Sequence, residues 1–312
     1  VQYFIEKYTR EFGKEVKRIS TYALELLLRY PFPGNIRELE NIIERSVALE
    51  SSSIILPENL ILAEEGKGPV PAAASLAEFP QGGVDLNREL EALFQERGAG
   101  LVGFADLSGM PEAGLPRGVS VAVALPPEIV RSIGDGPNLR YYETYHDINA
   151  RLDHMVTVGA EYLEKRGFRA TAQTTKSVVK LDDTHTLLPH KTVATRAGLG
   201  WIGRCALLVT EQYGSALRIS SLLTDAPLEC GQPVDEPRCG GCRECARYCP
   251  SGAIAGEIWR AGLPRERMVD AAKCRDTAIA LCKARFGVGA TICGKCIEVC
   301  PYTRRYLHRS EG

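Results

Sequence analysis

The sequence predicts an α/β core that carries a cysteine-rich domain at its carboxyl end and a small all-α bundle at its amino end. Three observations predict it. Two helical apolar stripes lie within the first 62 residues, helix and strand patterns alternate from about residue 85, and nine of the eleven cysteines fall between Cys239 and Cys300. The expected organisation is a helical fragment over 1–62, a linker over 63–84, an α/β domain over 85–226 and a cysteine domain over 227–312.

At the amino end, Ser20 is a good capping residue for a helix that stops at Pro31 and Pro33. A second helix is expected from Asn35 as cap, with Ile36, Leu39, Ile42, Ile43 and Val47 on one face and the glutamates and Arg37 on the other. Residues 63–84 concentrate Gly, Pro and Ala without a sustained period, the composition of a flexible tether. Beyond it, a helix at 91–97, a strand at 99–106 and a buried strand over Val119–Leu125 precede a long helix from Tyr141 to Arg166, closed by Gly167. This alternation is the basis for expecting an α/β core.

The cysteines carry the chemistry. Cys239, Cys242, Cys245 and Cys249, followed by Pro250, spell CxxCxxCxxxCP, and Cys293, Cys296, Cys300 and Pro301 form a second, incomplete copy in which Ala290 stands at the first position. In the two-cluster arrangement of bacterial ferredoxins, three cysteines of a run wrap one cubane and the fourth crosses to the other. Two 4Fe-4S clusters are therefore expected. The prolines should start a helix just after the last ligand of each run. The missing ligand is Cys274, in the polar MVDAAKCRDTA, or Cys282, in the more apolar AIALCKARFG; the reading favours Cys274. One cluster then takes Cys239, Cys242, Cys245 and Cys300, and the other Cys249, Cys274, Cys293 and Cys296, leaving Cys205, Cys230 and Cys282 over. Zinc also uses CxxC pairs but fits this tight double run less well, and disulfides suit neither the length nor the charged amino end. A reducing, cytoplasmic location is expected.

Composition adds outer bounds. With 312 residues, 45% hydrophobic, 25% charged and a net charge of -1, the chain has ordinary globular composition. No apolar run reaches the roughly 18 residues of a membrane span, so no membrane association is expected, and the near-neutral balance offers no overall basic footprint for nucleic acid.

Between Leu188 and Arg204, glycines at 198, 200 and 203 surround Trp201. They permit close backbone approach to a flat group, or simply tight turns against a core. His190, Lys191 and Arg196 lead into this block; a histidine can deliver a proton near neutrality, and the two cations can meet an anion.

Two resemblances follow from these residues. Phe32 to Asn41, FPGNIRELEN, resembles the second sensor motif of AAA+ enhancer-binding transcriptional activators. It implies a nucleotide-sensing arginine at Arg37 and a lid subdomain over about 1–62. The phosphate loop GxxxxGK(S/T) is absent from the sequence, so no ATP hydrolysis is expected, and the lid is expected to be a partner-docking element or a gene-fusion remnant.

The segments AGLGWIG from Ala197, LLVTEQYGS from Leu207 and LLTDAP from Leu222, with the double cysteine run, closely resemble the epoxyqueuosine reductase family over about 88–304. The resemblance implies an α/β core related to flavin nitroreductases, a cobalamin lying near Ala197, Gly198, Leu199, Gly200, Trp201 and Gly203, and two clusters feeding it electrons in a step of queuosine biosynthesis that removes an epoxide oxygen from a tRNA base. The family's aspartate acid, thirteen residues before Ala197, is here Thr184, with Asp182 and Asp183 out of register. Asp183 or His190 is expected in its place. Many members continue into helical repeats that help hold tRNA, whereas this sequence reads to Gly312; the substrate expectation is therefore tRNA or a small organic molecule. An electron donor such as ferredoxin or flavodoxin is implied. The ranked expectations are an iron–sulfur, cobalamin-dependent reductase, then an electron-transfer or corrinoid-reactivating protein, then a redox-sensing regulator.

Overall fold

A computed structural model describes residues 1–50, 53–62 and 83–310, and it divides into two compact units, Val1–Gly82 and Gly83–Gly312. The expected linker, 63–84, lies outside the described residues except for Gly83 and Val84, which begin a helix.

The first unit is built from α1 (Gln2–Glu11), β1 (Arg18–Ile19), α2 (Thr21–Arg29), α3 (Asn35–Leu49) and β2 (Ile54–Ile55), with β1 and β2 paired in parallel. Ser20 caps α2 by accepting from the Ala23 amide at 3.3 Å. The cap of α3 is Gly34 rather than the expected Asn35, which takes the left-handed φ of 52°. The Gly34 amide instead donates to Glu38 Oε2 at 2.8 Å, a reach-back within the first turn. Phe4, Ile5, Tyr8, Leu27, Ile42, Ile43 and Val47 form the core, while Ile36 departs from the expected buried face and is 62% exposed. Arg37 is exposed as well.

The second unit opens with α4 (Gly83–Gln95), β3 (Leu101–Asp106), β4 (Arg117–Ala124), α5 (Pro127–Ser132), α6 (Leu139–Glu164), β5 (Ala170–Gln173), α7 (His190–Arg196), β6 (Trp201–Ile202), β7 (Leu208–Val209) and β8 (Leu217–Thr224). It continues through α8 (Glu244–Arg247), α9 (Ala271–Phe286), α10 (Lys295–Glu298) and α11 (Pro301–Arg309). The central sheet runs β3-β4-β8-β5 and is antiparallel at every pairing. The expected alternation of helix and strand is present, but it does not produce the parallel sheet of a doubly wound core, because apolar periodicity marks strands without fixing their direction.

The two sheet faces differ in residue size. Phe104, Val119 and Leu222 stand in register on one face, beneath α6, where Gly159 admits the Phe94 ring. Gly103, Gly118 and Ser120 lie on the opposite face with Ala105 and Ala122, and these small residues let α7 press close: a Cβ on Gly118 would stand 2.8 Å from Val193 Cγ1. Short α7 is thereby fixed against the sheet, and everything that follows it is positioned by that contact.

The two expected domains, 85–226 and 227–312, share one packed unit. The chain leaving β8 returns along the sheet, with the Gly231 amide donating to Phe104 O and the Val234 amide to Thr195 O. α11 closes the other side, where Ser215 N donates to Thr303 Oγ1 at 3.1 Å and Tyr306 Oη to Leu125 O at 3.0 Å. Pro301 starts α11 immediately after Cys300, as expected; Pro250 is followed by a turn instead, in which Ser251 Oγ accepts from the Ala253 amide. Among the described residues, no helix is long and apolar enough to cross a membrane.

Candidate metal centre

Local structure places the thiols before any metal is considered. The Cys239–Cys242 turn is closed by a backbone bond of 3.1 Å from Cys242 N to Cys239 O, Cys245 sits in α8, and Cys300 is the N-cap of α11. Cys239, Cys242, Cys245 and Cys300 line one cavity of about 190 Å³, so the last thiol of the second run meets the first three of the first. Among the described residues no three His, Cys, Asp or Glu side chains gather tightly enough for a single metal ion.

The surroundings suit an anionic cluster too. Arg204, Arg238 and Arg305 line the same cavity. Arg204 is buried and is held by the carbonyls of Gly240 and Gly256, while its Nε is a buried donor with no partner. A cluster sulfide at this cavity would satisfy that donor, which an apolar filling would leave costly.

A second group is formed by Cys249, Cys274 and Cys293. Burial, followed by the nearby Cys249 and Cys293, pushes the Cys274 thiol up, and burial pushes the Cys293 thiol up with Cys249 adding to it. Burial opposes ionisation of Cys249 as well, but Ser251 Oγ at 3.2 Å and the amides of Ala253, Ser251 and Ile254 hold its thiol below the ordinary value. Cys282 is fully buried and donates to Ile292 O at 3.1 Å, the behaviour of a structural thiol. Cys296 lines the first cavity and packs with Cys245 and Cys249 in one apolar cluster. The residues present therefore fit two clusters.

The glycine block is a wall between sheet and cysteine loops. A Cβ on Gly200 would come within 2.1 Å of Val209 O, one on Gly198 within 2.7 Å of Gln232 O, and one on Gly203 within 2.7 Å of Val209 Cγ2. The close approach that these glycines permit is to the chain's own atoms. Ala197 and Trp201 are buried; Trp201 meets Tyr302 edge to face at 4.8 Å, and Leu199 packs over Gly103. Of the six residues expected at a corrin, Gly203 alone lines either of the two cavities described here.

The second cavity, about 240 Å³, lies between α7 and the segment 259–268 and is lined by Lys191, Arg196, Trp259 and Arg265. Burial and then Arg265 push the Lys191 amine down to about 8, and it donates to Ala206 O at 2.8 Å. This volume falls below the roughly 300–1,000 Å³ of pockets for drug-sized ligands, and a corrin macrocycle does not fit within it.

Neither expected proton donor lines these cavities. Asp183 is 87% exposed at its side chain and pairs with Arg275 Nη1 at 3.0 Å. His190 is the first residue of α7, its Nδ1 2.9 Å from Ser221 Oγ, and burial followed by Arg218 lowers it to about 4. It is therefore neutral at pH 7, not the near-neutral proton reservoir expected. Thr184, at the position of the family acid, binds Asp182, and its carbonyl accepts from Arg265. Arg204, Arg238, Tyr302 and Cys205 at the first cavity carried no motif; only the nearness of Arg204 and Cys205 to the glycine block marked them.

Comparison with known proteins agrees with this geometry. Residues 238–303 match the family described as a 4Fe-4S double cluster binding domain, and residues 1–73 match the AAA+ ATPase lid domain. The chain thus carries a domain for two 4Fe-4S clusters, preceded by an AAA+ lid fragment. It is similar to the epoxyqueuosine reductase of Vibrio cholerae, 34% identical over 126 residues that cover 37% of this chain and 31% of that protein. The Listeria monocytogenes enzyme of the same name is 42% identical over 65 residues, 21% of this chain and 17% of that one. The nitrogen fixation protein AnfA of Azotobacter vinelandii is 52% identical over 58 residues, 19% of this chain and 11% of that one. The chain thus spans less than a third of the length of each of these three relatives.

Among solved structures, a reductive dehalogenase described with a mechanism for B12-dependent dehalogenation aligns with a TM-score of 0.54 at 20% identity, over 78% of this chain and 36% of that one. A selenomethionine-labelled epoxyqueuosine reductase aligns at 0.50 and 19% identity, over 72% and 67%. The second unit shares the fold of these proteins.

Proposed function

We propose that this chain is an iron–sulfur reductase in which two 4Fe-4S clusters, packed against the sheet through α7 and α11, pass electrons to an acceptor. The observation that carries the reading is the crossing of Cys300 into the cavity of Cys239, Cys242 and Cys245, while Cys249, Cys274 and Cys293 lie near one another. In this reading Cys239, Cys242, Cys245 and Cys300 hold one cluster, and Cys249, Cys274, Cys293 and Cys296 the other. The clusters supply one-electron transfers. Arg204, Arg238 and Arg305 offset negative charge at the first cavity, where Tyr302 packs edge to face against buried Trp201.

A corrinoid acceptor, a nitroreductase-related core and reductive removal of a substrate oxygen are the finer part of the proposal. Shared fold with a B12-dependent dehalogenase supports them. The cavity at Lys191 and Arg265 would admit an anionic group but not the macrocycle, so no step is assigned to Asp183, His190 or Ala197–Gly203 through it. A tRNA substrate belongs to the proposal through the similarity to epoxyqueuosine reductases, and ferredoxin or flavodoxin is the class of donor suited to such clusters. In a second reading, the double-cluster domain over residues 238–303 makes the chain an electron-transfer protein that serves a separate acceptor.

Anaerobic titration of the full chain with cobalamin decides between the two. The reductase reading expects a base-off cobalt spectrum and quenching at one equivalent. Full iron content with no response to cobalamin would overturn the corrinoid assignment and leave electron transfer.

A further inference from the structure

Cys205 belongs to neither run, yet it is buried against both. Beside it on one cavity wall stand Cys245, assigned above to one cluster, and Cys296, assigned to the other. It also lines the first cavity, and it packs with Cys245, Cys249 and Cys296 in a single apolar cluster.

The backbone holds it there. The turn 203–207 is closed by Gly203 N to Leu207 O and by Ala206 N to Gly203 O, both 2.8 Å. Ala206 takes a left-handed φ of 58°, a conformation that costs a non-glycine residue of order 1 kcal/mol and persists where its surroundings impose it. Lys191 fastens the same turn through its bond to Ala206 O.

We propose that Cys205 is a positioning residue of the cluster pair, an S–H donor set between the two centres that raises the reduction potential of at least one of them. The inference rests on the two-cluster reading above. Ligation strips the protons from Cys245 and Cys296, which leaves Cys205 as the donor among the three sulfurs. A hydrogen bond to a ligating sulfur withdraws electron density and stabilises the reduced cluster, one of the recognised controls of cluster potential. Placed between the centres, one donor can bias the direction in which an electron rests.

The test is potentiometric EPR of anaerobic full-length protein with Cys205→Ala, Cys205→Val and Cys205→Ser, and with Cys230→Ala as a cysteine outside the set. The Ala and Val variants should keep the wild-type iron content while the reduced-to-oxidised ratio of at least one cluster falls about tenfold at the wild-type midpoint, a shift of about 59 mV for one electron. Serine, which keeps a donor, should restore most of it, and Cys230→Ala should change nothing. Unchanged midpoints in both Ala and Val, or equal shifts in Ser and Ala, would overturn the proposal. So would loss of about four irons from both Ala and Val, since Cys205 would then be a ligand. A wild-type protein without two clusters would instead sink the reading on which it rests.

Discussion

At the residue scale, the choice between Cys274 and Cys282 has a direct consequence. Cys274→Ala should lose about four irons or convert one cluster, whereas Cys282→Ala should keep the full iron count; iron and sulfide analysis of anaerobic protein checks both, and the reverse pattern would exchange their roles. The histidines give a pH prediction. His190 falls from 6.5 to about 4 through burial and Arg218, so between those values the unfolded chain binds the proton and stability falls as pH falls. Urea midpoints should drop less steeply on acidification in His190→Gln than in wild type. His185 acts oppositely: its bonds to Glu266 and Asp182 raise it, so its contribution is present at low pH and fades as pH rises through the raised value. The double-cluster domain was legible because cluster binding imposes short local cysteine spacings. The places of Cys205 and Arg204 at the first cavity were not, because contacts with residues far along the chain set them, and Asp183, near the motif in sequence, faces solvent and Arg275 in space.

At the element scale, the packing of α4, α6 and β8 depends on Gly159. A Cβ there would lie 2.5 Å from Phe94 Cζ and 2.8 Å from Leu222 Cδ2, so Gly159→Ala should destabilise the second unit by about 1–3 kcal/mol, read from denaturant unfolding. A neutral result would mean that Phe94 repacks freely. The positions of β4 and α6 were legible from apolar periodicity: Val119–Leu125 was expected against an observed Arg117–Ala124, and Tyr141–Arg166 against Leu139–Glu164. Strand direction was not, since the same alternation serves either pairing. The glycine block was legible as a close approach, but what it approaches, the carbonyls of Val209 and Gln232, is set by tertiary contact.

At the scale of the whole molecule, the first unit has its own core around Ile5, Ile43 and Val47, and the cysteines proposed as ligands all lie in the second. A fragment spanning residues 83–312 should therefore keep the iron content of the full chain, with loss of either cluster counting against independent units. The lid resemblance and the cysteine runs were legible as two separate texts in one sequence. That the α/β region and the cysteine region would close into one unit was not, because it depends on α11 docking through Thr303 and Tyr306. The central claim is the pair of interleaved cubanes. Anaerobically purified full-length protein, assayed for iron, zinc and acid-labile sulfide together with EPR after reduction, should give close to eight irons per chain and the signals of two interacting clusters. Zinc in place of iron, or four irons with one isolated signal, would contradict it.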